Sequence, residues 1–259
     1  MKKILSFLFL FIIAGFCCGC TEEKTKPLIQ EITARDKLIV GVKADSKPFG
    51  FKDSNGNFQG FDIDLAKEIA YQLLGNREKI EFVPVTPSNR IATLTSGKVD
   101  MIVATMSITE QRKSVVSFSM PYYNAGQAVM IPANSNINGI SDLNGKKVIV
   151  VLGSTAEKNI KYFAPHSIIQ GYKTATEAYQ ALKKGKGAAL TTDDAILVGI
   201  AMDDKTMKVL PKKYTQEPYA IAFRADKESL SLKNNVNRIL TQLNQNGFLN
   251  KQKKKWVKI

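Results

Sequence analysis

Ser107-Ile108-Thr109-Glu110-Gln111-Arg112 sets two hydroxyls and a guanidinium within one short stretch. The apolar run Met101 to Ala104 just before it reads as a buried strand, and Thr109 is placed to cap the helix that follows. Arg112 then falls in that helix's first turn. A cation there opposes the helix dipole, which favours anions at the N-terminus. The conflict disappears if something negative sits between them. Free backbone N–H groups, the Ser107 and Thr109 hydroxyls and the guanidinium could all face a single carboxylate. The chemistry indicated is capture of an anion. An ordinary capped helix with a solvated Arg112 accounts for the same spacing.

The elements around this stretch alternate. Lys37 to Lys43 is predicted as a strand, broken by Asp45 to Pro48. Asp62 is expected to cap a helix with Leu65, Ile69, Leu73 and Leu74 at helical spacing. Ile80 to Val85 is the next strand, and Ser88 is expected to cap a helix carrying Arg90, Ile91 and Leu94. After a break at Pro121-Tyr122-Tyr123 and a strand over Gln127 to Ile131, the alternation resumes. Strands are predicted over Val148 to Leu152, Ile168 to Tyr172 and Gly187 to Leu190. Helices are predicted over Ala156 to Tyr162, Thr174 to Lys184 and Asp194 to Met202. Pro218 to Phe223 is a last strand, before helices over Glu228 to Gln245 and Phe248 to Trp256 with Gly247 between them. Strand–helix alternation predicts an α/β fold with largely parallel sheets. Two blocks of about 90 to 100 residues suggest two lobes. Candidate crossings near Tyr123 to Gly126 and Glu217 to Tyr219 would make a hinge, with a ligand cleft between the lobes. The expected division is 34–124 with 220–259 for lobe 1, and 125–219 for lobe 2.

The start of the chain reads differently. Lys2 and Lys3 precede an apolar run from Ile4 to Phe16, short for a membrane span and shaped like an export signal over residues 1–20. Cys17, Cys18 and Cys20 are the only cysteines, so no disulfide framework is expected in the mature domain. Thr21 to Thr33, polar and containing Pro27, reads as a tether. Hydrophobic residues at 44% and charged residues at 23% give an ordinary globular balance over 259 residues. Removing Lys2 and Lys3 with the leader lowers the formal charge from +14 to +12. A basic balance suits anionic ligands or membrane surfaces, and equally a solvated basic face. An exported chain does not normally meet nucleic acid, so no nucleic-acid partner is expected. With His166 as the one histidine and no Cys after residue 20, neither a zinc nor an iron site is expected.

Several motifs resemble, in order, those of the bacterial solute-binding proteins of polar amino acid ABC importers, family 3. Gly60-Phe61-Asp62-Ile63-Asp64-Leu65-Ala66 resembles the family's GF-D-D-A helix start, and Gly97-Lys98-Val99-Asp100-Met101-Ile102 its G-x-V-D strand entry. Ser107 to Arg112 resembles its T-I-T-x-x-R ligand motif, Ser119-Met120-Pro121-Tyr122-Tyr123 its hinge approach, and Leu190-Thr191-Thr192-Asp193 its second-lobe aspartate motif. The resemblance covers Lys37 to Trp256. It implies a two-lobed periplasmic binding protein type II fold acting as a monomer without cofactor, and a permease partner in the cytoplasmic membrane. Gly19-Cys20 resembles a lipoprotein processing site, with Cys17 where Leu is usual at position −3. That implies acylation of Cys20 and a lipid-anchored protein at the outer face of the cell membrane or in the periplasm.

The resemblance also implies roles. Arg112 would pair with the ligand α-carboxylate, Thr105 and Ser107 would add hydrogen bonds, and Asp193 would take the α-ammonium. Asp193 also suits a plain helix N-cap. Ser154 and Thr155 start a helix with which the family reaches the ligand, while Ser154 with Glu157 spells a capping box. Lys43 and Arg90 fall where the family lines the pocket. Two cations left over after the α-groups are satisfied point to glutamate or aspartate. Glutamine and cysteine or cystine are alternatives on the same fold, and Asp45 could pair with Lys43 and neutralise it. A cleft enzyme of the dehydratase type is the alternative of another class, and it would need a general acid or base in the cleft.

Overall fold

The computed structural model describes residues 26–202 and 204–257. Helix α1 (Leu28–Arg35) opens it, with Leu28 and Ile32 buried four residues apart on one stripe. It packs on the long helix near the C-terminus. The tether expected over Thr21 to Thr33 is corrected here, because from Leu28 onward the segment is part of the fold. Its two spaced apolar residues are enough to dock one helical face, although the average composition is polar.

Strand β1 (Leu38–Val42) follows, then a small antiparallel sheet of β2 (Asp45–Ser46), β3 (Gly50–Lys52) and β4 (Phe58–Gln59). Helix α2 (Phe61–Leu74) buries Leu65 and Ile69 and ends at Gly75, whose left-handed backbone (φ 74°) returns its N–H to the Tyr71 carbonyl. Next come β5 (Ile80–Pro84), α3 (Arg90–Thr95), β6 (Met101–Val103), the one-turn helix α4 (Glu110–Lys113) and β7 (Val116–Phe118).

Strands β8 (Tyr123–Ala125) and β9 (Gln127–Pro132) carry the chain into a second layer. It holds β10 (Lys147–Val151), α5 (Thr155–Phe163), β11 (Ile168–Tyr172), α6 (Ala175–Lys183), β12 (Ala189–Asp193), α7 (Asp194–Ala201) and β13 (Met207–Val209). Strand β14 (Glu217–Tyr219) returns it to β15 (Ala222–Arg224), α8 (Glu228–Gln245) and α9 (Phe248–Trp256).

Two five-stranded sheets result, ordered β5-β1-β6-β15-β7 and β11-β10-β12-β9-β13. In each, the first three strands are parallel and the last two join antiparallel. The inner parallel strands β1, β6, β10 and β12 are largely buried runs, as helices on either side require, while the edge strands β5 and β11 are partly exposed. Between the sheets, β8 and β14 pair antiparallel, with Tyr219 opposite Tyr123 and Glu217 opposite Ala125. The strand expected over Pro218 to Phe223 is therefore two short strands, one in the crossing and one in the first sheet.

Two of the caps expected in the first lobe fail. Helix α2 begins after Gly60, and the Asp62 carboxylate leaves its own helix to accept from the Thr105 N–H at 2.9 Å and the Tyr122 hydroxyl at 2.9 Å. Ser88 caps nothing: helix α3 begins after Asn89, and the Ser88 hydroxyl pairs with that of Thr86. Thr109 caps α4 as expected, accepting from the Arg112 N–H at 3.2 Å, and Thr174 likewise caps α6, accepting from the Glu177 N–H at 3.1 Å.

Candidate functional site

Lys43, Arg90, Thr105, Ser107, Arg112, Ser154, Thr155 and Asp193 all line one cavity between the two sheets, with about 380 Å³ of empty space including its mouth. They come from segments up to 150 residues apart. Each stands at the end of a strand or the start of a helix. Lys43 follows β1, Thr105 and Ser107 follow β6, Ser154 and Thr155 open α5, and Asp193 ends β12. The cavity lies at the carboxyl ends of the parallel strands, where open α/β sheets place their ligand crevices. Ser46, Pro87, Val151, Ala175, Thr192 and Ile196 complete the lining.

Arg112 is buried beside its cap. Its Nη1 donates to the Ser107 carbonyl at 2.7 Å, and its Nη2 reaches across to the Gly153 carbonyl at 3.2 Å. Burial lowers its pKa, against the pull of Glu217 and Asp193. Thr105, whose N–H is held by Asp62, adopts φ 46°, a left-handed conformation uncommon for a residue with a branched Cβ. Arg90 donates through Nη1 to the Ala104 and Thr105 carbonyls at 2.6 and 3.3 Å. Burial, then the neighbouring Arg112, pull its guanidinium down to about 9. Arg90 Nε and Ser154 Oγ are buried without a hydrogen-bond partner among the described residues. Buried polar atoms normally have partners, so such atoms in a cavity wall point to a ligand.

Asp193 holds the N-cap position of α7, but its side chain makes no cap bond. Its Oδ2 accepts from the Tyr219 hydroxyl. Burial first, then the nearby Glu217, push its carboxyl up to about 7. The capping box expected at Ser154 and Glu157 does not close. Glu157 accepts from the Gly153 N–H at 2.9 Å, and the Ser154 hydroxyl bonds no helix amide.

The expectation of two uncompensated cations is corrected by the geometry for one of them, Lys43. Lys43 Nζ lies 2.8 Å from Asp45 Oδ1, with the lysine side chain 3% exposed. Asp193 and Asp62 act on Arg90, and Glu217 and Asp193 act on Arg112. Lys43 therefore has a carboxylate at ion-pair distance before any ligand enters, while Arg90 and Arg112 donate to backbone carbonyls.

Glu217 is the functional residue that sequence reasoning missed. Buried in the crossing strand β14, it accepts from the Ser107 hydroxyl at 2.8 Å, from the Thr155 hydroxyl, and from Asn159 Nδ2 and Thr215 Oγ1 at 3.0 Å. It clasps first-sheet and second-sheet walls at the hinge. A lone acid before a proline carries no spacing signal for partners so distant in sequence.

The description of bacterial extracellular solute-binding proteins, family 3, matches residues 38–259. The chain belongs to this family. It is 40% identical over 270 residues to the ABC transporter glutamine-binding protein GlnH of Bacillus subtilis (strain 168), covering 100% of this chain and 98% of the relative. It is 44% identical over 195 residues to the glutamine-binding protein of Geobacillus stearothermophilus, covering 74% of each. An ancestral arginine-binding protein bound to glutamine superposes with a TM-score of 0.80 at 40% identity, over 85% of this chain and 97% of that one. This solute-binding protein has the two-lobed type II architecture, with the cavity between its lobes. Among the described residues, no helix is long and apolar enough to cross a membrane.

Proposed function

We propose that this solute-binding protein captures a neutral polar α-amino acid, glutamine first, and delivers it to the permease of an ABC importer. The observation that carries the reading is the charge balance of the cleft. In this reading Arg112 takes the α-carboxylate and Asp193 the α-ammonium, both from the cavity wall, and Lys43 is already paired with Asp45. A second ligand carboxylate would have to compete with Asp45 for Lys43 and would carry its charge into a buried site. A carboxamide adds none. The glutamine-binding relatives support the same choice over the acidic ligands. The protein acts outside the membrane, held through acylation of Cys20, which lies outside the described residues.

The test is calorimetric titration of the protein with glutamine, glutamate, aspartate, asparagine, arginine, cysteine and cystine. Glutamine binds most tightly, and at 100 times its dissociation constant it adds about 2.7 kcal/mol to stability in a thermal shift. Tighter binding of glutamate or aspartate sinks the assignment. Arg112→Ala removes one side of a desolvated charge pair, which costs roughly 2–5 kcal/mol. Its affinity falls at least about 30-fold for every amino acid that binds. Near-native affinity would remove Arg112 from the site.

A further inference from the structure

We propose that Asp45 is the positioning residue that sets the preference of this cleft for a neutral ligand side chain, by neutralising Lys43 from outside the cavity. The proposal rests on the glutamine reading above. Lys43 lines the cavity and Asp45 does not. Every oxygen of Asp45 is already engaged. Its Oδ1 accepts from Lys43 Nζ at 2.8 Å and Ser46 Oγ at 3.2 Å, and its Oδ2 accepts from the Ala175 N–H at 2.6 Å. Ala175 is the first residue of α6, in the opposite lobe. The N-terminal end of that helix favours a negative charge, which helps to hold the Asp45 side chain in place. The carboxylate therefore acts on the ligand only through Lys43.

The physics follows from where the charge sits. With Asp45 present, the buried ammonium is compensated. It can still donate a hydrogen bond to a carboxamide oxygen, but it offers little net attraction to a carboxylate. Remove the negative charge without changing shape, and the ammonium becomes a buried charge without a counter-ion. A ligand carboxylate then supplies the missing charge, and a carboxamide cannot. Asp45→Asn is the nearest such change: its one side-chain carbonyl can still accept from the Ala175 N–H, while the amide nitrogen stands beside Lys43 in place of Oδ1.

The experiment measures dissociation constants for glutamate and glutamine by calorimetry on the unmutated protein, Asp45→Asn, and Asp45→Asn with Lys43→Met. Asp45→Asn shifts the glutamate-to-glutamine ratio toward glutamate by about tenfold or more, equivalent to about 1.4 kcal/mol. Adding Lys43→Met removes the orphaned cation and returns the ratio toward glutamine. A ratio unchanged by Asp45→Asn, including equal loss of both ligands, makes Asp45 a structural residue and overturns the proposal. A ratio that does not fall back in the double variant overturns it too. The glutamine reading fails separately, if the unmutated protein prefers another amino acid. The ratio change on replacing Asp45 still tests the charge argument in that case.

Discussion

Lowering the pH should weaken ligand binding through one carboxyl, that of Asp193. Its burial and the neighbouring Glu217 hold its pKa at about 7, and a ligand ammonium needs it ionised. The sign is fixed by linkage. The free protein carries the raised pKa and the complex a lowered one, so affinity is complete well above pH 7 and is lost as pH falls through it. At pH 5.5, about 1.5 units below, each unit costs 1.36 kcal/mol, so binding weakens by about 2 kcal/mol, roughly 30-fold. The Arg112 guanidinium does not titrate in this range. Asp62, raised to about 6 mainly by burial, spends its oxygens on Thr105 and Tyr122 and does not line the cavity. Calorimetry at pH 5.5, 7 and 8.5, in buffers of different ionisation enthalpy, reads both quantities. Proton release on binding should approach one at the lowest pH, about one half at pH 7, and vanish at the highest. Asp193→Asn should bind weakly and lose this pH dependence. Constant affinity from pH 5.5 to 8.5, or no proton release at pH 5.5, would refute the reasoning.

The N-terminal helix and the anchor give two further tests. Ile32 is fully buried in α1, so Ile32→Ala should destabilise the fold by about 2–5 kcal/mol. A thermal melt indistinguishable from that of the unmutated protein would show that α1 does not contribute to the core. Cys20→Ser should release the protein from the membrane fraction, since stable anchoring needs more than one acyl chain. An unmodified mature chain beginning elsewhere, read by mass spectrometry, would defeat the lipoprotein assignment.

Some of this molecule is written in short-range spacing. Thr109 caps α4 and Thr174 caps α6 because a hydroxyl reaches an amide three residues on, whatever the rest of the chain does. The strand–helix alternation and the break at Gly247 are of the same kind, and they placed Arg112 and Asp193 at element ends. Where a residue's partner lies far along the chain, spacing says nothing. Asp62 looked like a cap and instead holds Thr105, 43 residues away. Glu217 gathers Ser107 and Thr155 only because β14 runs between the two five-stranded sheets. The proposed neutral ligand rests on the subtlest case. Lys43 and Asp45 share a side of an extended chain, since side chains alternate with period two. Whether they meet each other or water is decided by burial. Packing the opposite lobe's α6 against Asp45 dries the pair, and in that low-dielectric contact the ammonium and carboxylate neutralise one another.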